Sequence, residues 1–383
     1  MVDDVTTWSD RLRDAEQALL TIPQGGNPMT QVARFEIQLT QFLDEHGQVK
    51  EPLPEFAQDP ETLIAMYSAM VETRLFDKKA IALQRTGKLG TYPSSLGQEA
   101  IAVGFGSVMD EHDVLLPYYR EYGAQFLRGV RMKEILLYWG GDERGMDYAG
   151  PRQDFPICVP IASHAPQAVG VAYAFKFRCQ PQVAVAFFGD GATSKGDFYE
   201  AINAAGVWNL PVVFVVNNNQ WAISVPTAAQ THCQTIAQKA IAGGIAGEQV
   251  DGNDIIAVRE CAQRALDKAR NGGGPTLIEA LSYRLCDHTT ADDASRYRSQ
   301  EEVDAAWQKE PVLRLRNYMI AQGFWDEQRE AALVEQCAAA VEAEVKEYLD
   351  TPPQPPESMF DYMFATLPHD LAEQRATVVN RRK

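Results

Sequence analysis

Val183-Ala-Val-Ala-Phe-Phe188, running straight into Gly189-Asp190-Gly191-Ala192, decides how this chain folds. An uninterrupted apolar run closed by glycine has no face suited to water. Strands that are apolar on both faces belong to a parallel sheet covered by helices. Val212-Val-Phe-Val-Val216 has the same character, and Thr276-Leu-Ile-Glu-Ala280, after Gly272-Gly-Gly-Pro275, reads as a further strand. Small-residue, Ala-rich segments alternate with these runs from about residue 90 to 285, and a helix is expected from Lys195-Gly-Asp-Phe-Tyr-Glu200. The fold class predicted is α/β, a parallel sheet with helices on both faces and helical N- and C-terminal extensions.

Outward from this centre, Asp59-Pro60 pairs a helix cap with a proline at the first helical position. Leu63, Met66, Tyr67, Met70 and Val71 then recur at helical spacing, and the pattern runs to about Thr86 before Gly87. Upstream, Pro23-Gln-Gly-Gly-Asn-Pro28 is a run of breakers, so residues 1–28 are expected to be a loosely held extension with a second plausible start at Met29. Downstream, residues 300–350 are helical and charged, and Pro352-Pro353 and Pro355-Pro356 break the chain before a short tail. The division expected is 1–58 as N-terminal extension, 59–300 as the α/β domain and 301–383 as a C-terminal helical region.

In 383 residues, 35 Lys+Arg stand against 52 Asp+Glu, a formal charge of −17 that argues against gripping nucleic acid or an anionic membrane. The six cysteines are scattered without a C-x-x-C pair, the pattern of reduced thiols and not of a disulfide frame or zinc site. No apolar run approaches the roughly 18 residues of a membrane span. Met1-Val-Asp-Asp-Val-Thr-Thr-Trp-Ser-Asp10 is acidic and unlike a signal peptide. A cytoplasmic location is expected.

The chemistry concentrates where the strands end. Glycines at the Gly189-Asp190-Gly191 turn let backbone N–H groups approach a phosphate, and the aspartate adds a hard oxygen ligand suited to Mg²⁺. Alone, such a triplet is more often a tight turn. The 26 residues 192–217 then lead to Asn218-Asn219, just past the next strand. Two strands of one sheet thus deliver a carboxylate and an amide oxygen to one C-terminal edge, where open α/β sheets bind ligands.

This arrangement resembles the thiamine diphosphate fingerprint. Tyr118-Tyr-Arg-Glu-Tyr122, Ala165-Pro-Gln-Ala-Val-Gly170, Val250-Asp-Gly-Asn-Asp254 and the segment from Tyr283 through Asp287-His288-Thr289-Thr290 to Arg296-Tyr-Arg-Ser299 extend the likeness over roughly residues 60–350. Together they resemble the alpha subunit of the decarboxylating component of 2-oxo acid dehydrogenase complexes. Gly90-Thr-Tyr-Pro-Ser-Ser-Leu-Gly-Gln-Glu-Ala100 looks closer to the pyruvate branch than to the branched-chain one.

The resemblance implies thiamine diphosphate and Mg²⁺ as cofactors. It places Asp190, Asn219 and the Trp221 carbonyl on the metal, with the run Asn217-Asn218-Asn219 leaving the register open by one residue. Gly189, Gly191 and Ala192 line the diphosphate turn, and Tyr119 and Arg120 hold the terminal phosphate, for which a guanidinium fork and a phenol are natural partners. Ile161 wedges between the cofactor rings, and the Val159 carbonyl accepts from the exocyclic amine. His288 donates a hydrogen bond or a proton near neutral pH as the catalytic residue. Arg284, Arg296, Tyr297 and Arg298 order a loop over the mouth.

Two departures stand out. Thr289 occupies the position of a regulatory phosphoserine in mitochondrial relatives, so kinase control is not supported. Cys158, Ser163 and His164 stand where branched-chain relatives bind potassium, and Cys and His suit K⁺ poorly, so no such site is expected.

The cofactor also needs a carboxylate against its aminopyrimidine and a second α/β domain, and the chain has room for one domain only. The resemblance implies a beta subunit in an α2β2 heterotetramer, a lipoyl-bearing dihydrolipoyl transacylase and a 2-oxo acid substrate, with no nucleic acid and no membrane. The expected activity is oxidative decarboxylation of pyruvate with acyl transfer to a lipoyl group. The branched-chain and acetoin versions of the chemistry are the near alternatives, and a non-catalytic nucleotide-binding α/β subunit is the alternative of another class.

Overall fold

The strands form where the apolar runs predict them and lie side by side in one parallel sheet. A computed structural model describes residues 30–380. The expected extension over residues 1–28 and the start at Met29 lie outside these described residues. Thr30 to Glu36 belong to a separate unit, Met1–Glu36, and have no regular secondary structure where described.

In the larger unit, Ile37–Lys383, the strands are β1 (Leu39–Thr40), β2 (Val114–Leu116), β3 (Ala184–Gly189), β4 (Val212–Asn218), β5 (Trp221–Ala222), β6 (Val225–Pro226), β7 (Ala246–Asp251) and β8 (Thr276–Leu281). The sheet order is β1-β7-β8-β4-β3-β2, every pairing parallel. β5 and β6 pair separately as a small antiparallel hairpin. The edge strand β1 comes from within residues 1–58, so the segment read as an extension contributes a strand to the sheet.

Successive residues of β3 and β4 face opposite sides, and each side is closed by small-residue helices. On one side α3 (Ala165–Phe177) and α4 (Gly196–Val207) press Ala165, Ala168, Ala172, Phe198 and Ile202 onto Ala184, Ala186, Phe188, Phe214 and Val216. On the other, α2 (Glu99–Gly106) and α5 (Ile255–Arg270) cover Val185, Phe187, Val213, Val215 and Ile278 with Ile101, Phe105, Val258 and Cys261. Alanine brings a helix backbone close to the sheet, which leaves room for the phenylalanines. Truncating a fully buried ring such as Phe188 to alanine would cost about 3–5 kcal/mol.

The helix expected after Asp59 is α1 (Pro60–Arg85), with the Asp59 carboxylate accepting from Glu61 and Thr62 N–H. Leu63, Met66, Tyr67, Met70 and Val71 are all buried, against the C-terminal helices α6 (Pro311–Ala321) and α7 (Glu327–Leu349). In β3 and β4, Gly189 stands opposite Asn217. That register brings the Gly-Asp-Gly turn and the asparagines out of the sheet at one edge.

Candidate cofactor site

Four adjacent strands, β8, β4, β3 and β2, end at one cavity. The loop after β2 brings Tyr118, Tyr119 and Arg120, the turn after β3 brings Gly189 to Ala192, and the chain after β4 brings Asn219 and Trp221. The loop after β8 adds His288, and Ile161 comes from the segment entering α3. These are the residues expected at the site, with one exception. Val159 does not line the cavity, although its neighbour Cys158 does, and the residue is 44% exposed. The backbone turns back at Ala162 (φ 63°) and Ile223 (φ 56°), both in the cavity wall. A β-branched residue in the left-handed region is costly, and such residues cluster at functional sites.

The three consecutive asparagines differ in where their side chains go. Asn217 Oδ1 accepts from Ser282 Oγ, and Asn218 Nδ2 donates to Glu279 Oε1 at 2.7 Å. Neither lines the cavity, whereas Asn219 does. The Asn219 carbonyl oxygen accepts from the Trp221 N–H at 3.2 Å and its amide nitrogen donates to Gln98. The oxygen keeps a second lone pair.

Asp190 is 1% exposed and its carboxylate meets only neutral donors, Gln230 Nε2 at 2.6 Å and Thr227 Oγ1 at 3.3 Å. Burial pushes its pKa up, against the pull of those hydrogen bonds. A buried carboxylate without a cation is costly, and a divalent ion would relieve it. The Trp221 carbonyl, expected as a third metal ligand, accepts from Arg284 Nη1 at 3.1 Å, so one of its lone pairs is already engaged. Gly191 is required here, since a Cβ on it would stand 2.8 Å from the Ala222 Cβ.

Arg120 and Arg284 are both buried, and among the described residues neither pairs with a carboxylate. Arg120 donates to the Ser94 and His288 carbonyls. Arg284 donates to the Trp221 and Ile223 carbonyls and to the Tyr297 hydroxyl, which in turn donates to Asp292. Burial first and the charge of Arg120 next lower the basicity of Arg284. Two buried cations sharing no anion make a receptor for one, and a guanidinium suits phosphate.

Two buried polar atoms in the same wall, Tyr118 Oη and His164 Nδ1, also have no hydrogen-bond partner among the described residues. The residues present therefore fit a bound group that carries a cation, an anion and further polar atoms.

His288 faces two guanidinium groups. Its Nδ1 lies 3.2 Å from Arg120 Nη2 and 3.4 Å from Arg284 Nη1. Guanidinium groups only donate, so Nδ1 must accept and the ring proton sits on Nε2. Burial, then Arg120 and Arg284, push its pKa down to about 3. In this arrangement the neutral ring of His288 offers a hydrogen bond from Nε2, one of the two roles that the resemblance implies for it.

Arg284, expected to order a loop over the mouth, lies behind the cavity wall and donates to the carbonyls of two lining residues, Trp221 and Ile223, while Arg296 is exposed and pairs with Asp293. Sequence reasoning missed Gln98, Gln230 and the cavity lining by Tyr118 and His164. Tyr118 sits beside Tyr119-Arg120, Gln98 lies in the Gly90–Ala100 stretch and His164 stands at the position compared with a potassium site, whereas Gln230 carries no local signal.

A parallel α/β sheet ending in a cation-seeking turn beside two unpaired guanidinium groups defines a diphosphate-binding class. Residues 67–357 match the dehydrogenase E1 component family. The chain belongs to this family of oxidoreductases, which work with thiamine diphosphate and Mg²⁺. It is similar to the pyruvate dehydrogenase E1 component subunit alpha of Staphylococcus aureus and to that of Staphylococcus epidermidis, each 38% identical over 343 residues, or 88% of this chain and 92% of the relative. Among the described residues no helix is long and apolar enough to cross a membrane.

Proposed function

We propose that the chain is the alpha subunit of a pyruvate-decarboxylating 2-oxo acid dehydrogenase, working in the cytoplasm as an α2β2 heterotetramer and passing its acyl group to a lipoyl-bearing transacylase. The observation carrying this reading is the unpaired Arg120 and Arg284 beside the buried Asp190. Together they offer both signs of charge that a magnesium diphosphate requires.

Arg120, Arg284 and Tyr119 would hold the terminal phosphate, and Asp190 and Asn219 would hold Mg²⁺. The Trp221 carbonyl would join the metal through its remaining lone pair. Gly189, Gly191 and Ala192 allow the backbone to approach the diphosphate, and Ile161 orients the rings. When bound, thiamine diphosphate supplies the nucleophilic carbon and the electron sink for decarboxylation. His288 holds its proton on Nε2 and donates a hydrogen bond at the same site.

Among the described residues lining the cavity, Asp190 is the single carboxylate, and this reading assigns it to the metal. The carboxylate that activates the aminopyrimidine must then come from the partner chain. Val159, Ile161, Ile223 and Val225 are exposed apolar residues on segments that line or adjoin the cavity, which supports a partner closing the mouth.

The test is to purify the chain alone and with its beta-type partner, and to assay 2-oxo acids with an artificial electron acceptor. The assembly should turn over pyruvate faster than branched-chain acids, and the isolated chain should be inactive. Turnover by the chain alone, or a preference for branched-chain acids or acetoin, would overturn the corresponding part of the reading.

A further inference from the structure

We infer that Gln98 and Gln230 are positioning residues that aim the two metal ligands, an inference resting on the cofactor reading above. Asn219 can present either end of its amide to the cavity, and only the oxygen binds a cation. Its orientation is set by two contacts: Nδ2 donates to Gln98 Oε1 at 2.9 Å, and Oδ1 accepts from Trp221 N–H at 3.2 Å. Were Gln98 unable to accept, the buried Nδ2 would lose its partner and a flipped amide would turn N–H groups toward the metal.

Gln98 has little freedom of its own. It is 1% exposed at the N-cap of α2, its N–H donates to the Ser95 carbonyl, and it follows Gly97. Gly97 has φ +87°, and a Cβ there would stand 2.5 Å from the Tyr283 carbonyl, so the backbone pins this loop against the β8 exit.

Gln230 acts on the other ligand. Its Nε2 and the Thr227 hydroxyl both donate to Asp190 Oδ2, and among the described residues no side chain donates to Oδ1. One carboxylate oxygen is thereby committed and the other stays free. Gln230 ends the short helix Thr227–Gln230, which directly follows the β5–β6 hairpin, and the Ala222 Cβ of that hairpin fills the space beside Gly191. Packing therefore sets where this glutamine can reach.

The test measures Mn²⁺ binding by electron paramagnetic resonance in the full-length chain co-purified with its partner, with thiamine diphosphate present. Partners that orient metal ligands typically contribute 10–100-fold to affinity, so Gln98→Met and Gln230→Met should each weaken Mn²⁺ by about that factor. The melting temperature of the metal-free enzyme should move little. Gln98→Glu should recover most of the loss, because a carboxylate accepts the same N–H.

The decisive readout is a double variant. Asn219→Asp presents oxygen whichever way it turns, so Gln98→Met should cost little in that background. Equal loss in both backgrounds, Gln98→Glu as weak as Gln98→Met, or Mn²⁺ affinities at the wild-type level would overturn the inference. A wild-type assembly that binds no Mn²⁺ with the cofactor would overturn the cofactor reading itself.

Discussion

Arg120 grips His288 twice, from one nitrogen: Nη2 donates to the histidine carbonyl at 2.8 Å and faces its ring Nδ1 at 3.2 Å. The two residues lie far apart in sequence and meet because the loops after β2 and β8 converge at one sheet edge. The same cation that would hold a phosphate thus also fixes the histidine's tautomer.

A pH dependence follows. The folded pKa of His288 is pushed down to about 3, below the unfolded value of about 6.5. The unfolded chain therefore takes up a proton that the folded chain refuses. Stability is full above pH 6.5 and declines as the pH falls from there toward 3. Denaturant melts of the cofactor-free protein between pH 4 and 8 should show this slope, and His288→Gln should flatten it. An unchanged slope in the variant would count against the buried, neutral histidine.

Asp190→Asn separates fold from site. The substitution removes a buried charge that makes no ion pair among the described residues, so the metal-free protein should melt at the same temperature or slightly higher. Magnesium and thiamine diphosphate binding, read by calorimetry in the assembled enzyme, should fall strongly. Wild-type binding by the variant would remove Asp190 from the metal site.

Glu121 should behave oppositely to His288. It is buried with Oε2 accepting from the Tyr118 and Arg120 N–H groups, and burial raises its pKa to about 8. The folded state holds a proton that the unfolded state releases above about pH 4.5. Its contribution is full below 4.5 and is lost as the pH rises through 8. Glu121→Gln keeps an acceptor for both N–H groups and carries no charge. The variant should therefore gain on the wild type steadily from pH 5 to pH 8, as melting temperatures across that range would reveal.

How much of this was legible in the sequence depends on the range of the interaction. The strands at Val183 and Val212 and the cap at Asp59 are local signals, and Gly189-Asp190-Gly191 with Asn219 follows from strands delivering their ends to one edge. Arg284 is visible in the sequence, but that it forms no ion pair with a carboxylate among the described residues is a property of the packed fold. Gln98 and Gln230 could not be found at all. A glutamine becomes a ligand-orienting group only when tertiary structure places its amide within about 3 Å of a partner. The strand at Leu39–Thr40 was missed for a related reason: two residues have no periodicity, and their pairing with β7 exists only in the assembled sheet.

The last prediction concerns what His288 does in acyl transfer. With its proton fixed on Nε2 by Arg120 and Arg284, the side chain offers a neutral donor. A glutamine carries an amide N–H at a comparable reach and has no pKa near neutrality. If donation is the contribution, His288→Gln should retain much more lipoyl acylation than His288→Ala. The alanine variant should lose roughly the 10²–10⁴-fold that a positioned acid or base is worth. Diphosphate anchoring should persist in both variants, because Asp190, Asn219 and Arg120 are untouched, and cofactor affinity should change only modestly. Single-turnover acylation of a lipoyl domain by the two assemblies decides the matter. Equal, deep losses in both variants would mean that the imidazole must change its protonation state during the reaction, and that a bound diphosphate restores the basicity the two guanidinium groups suppress.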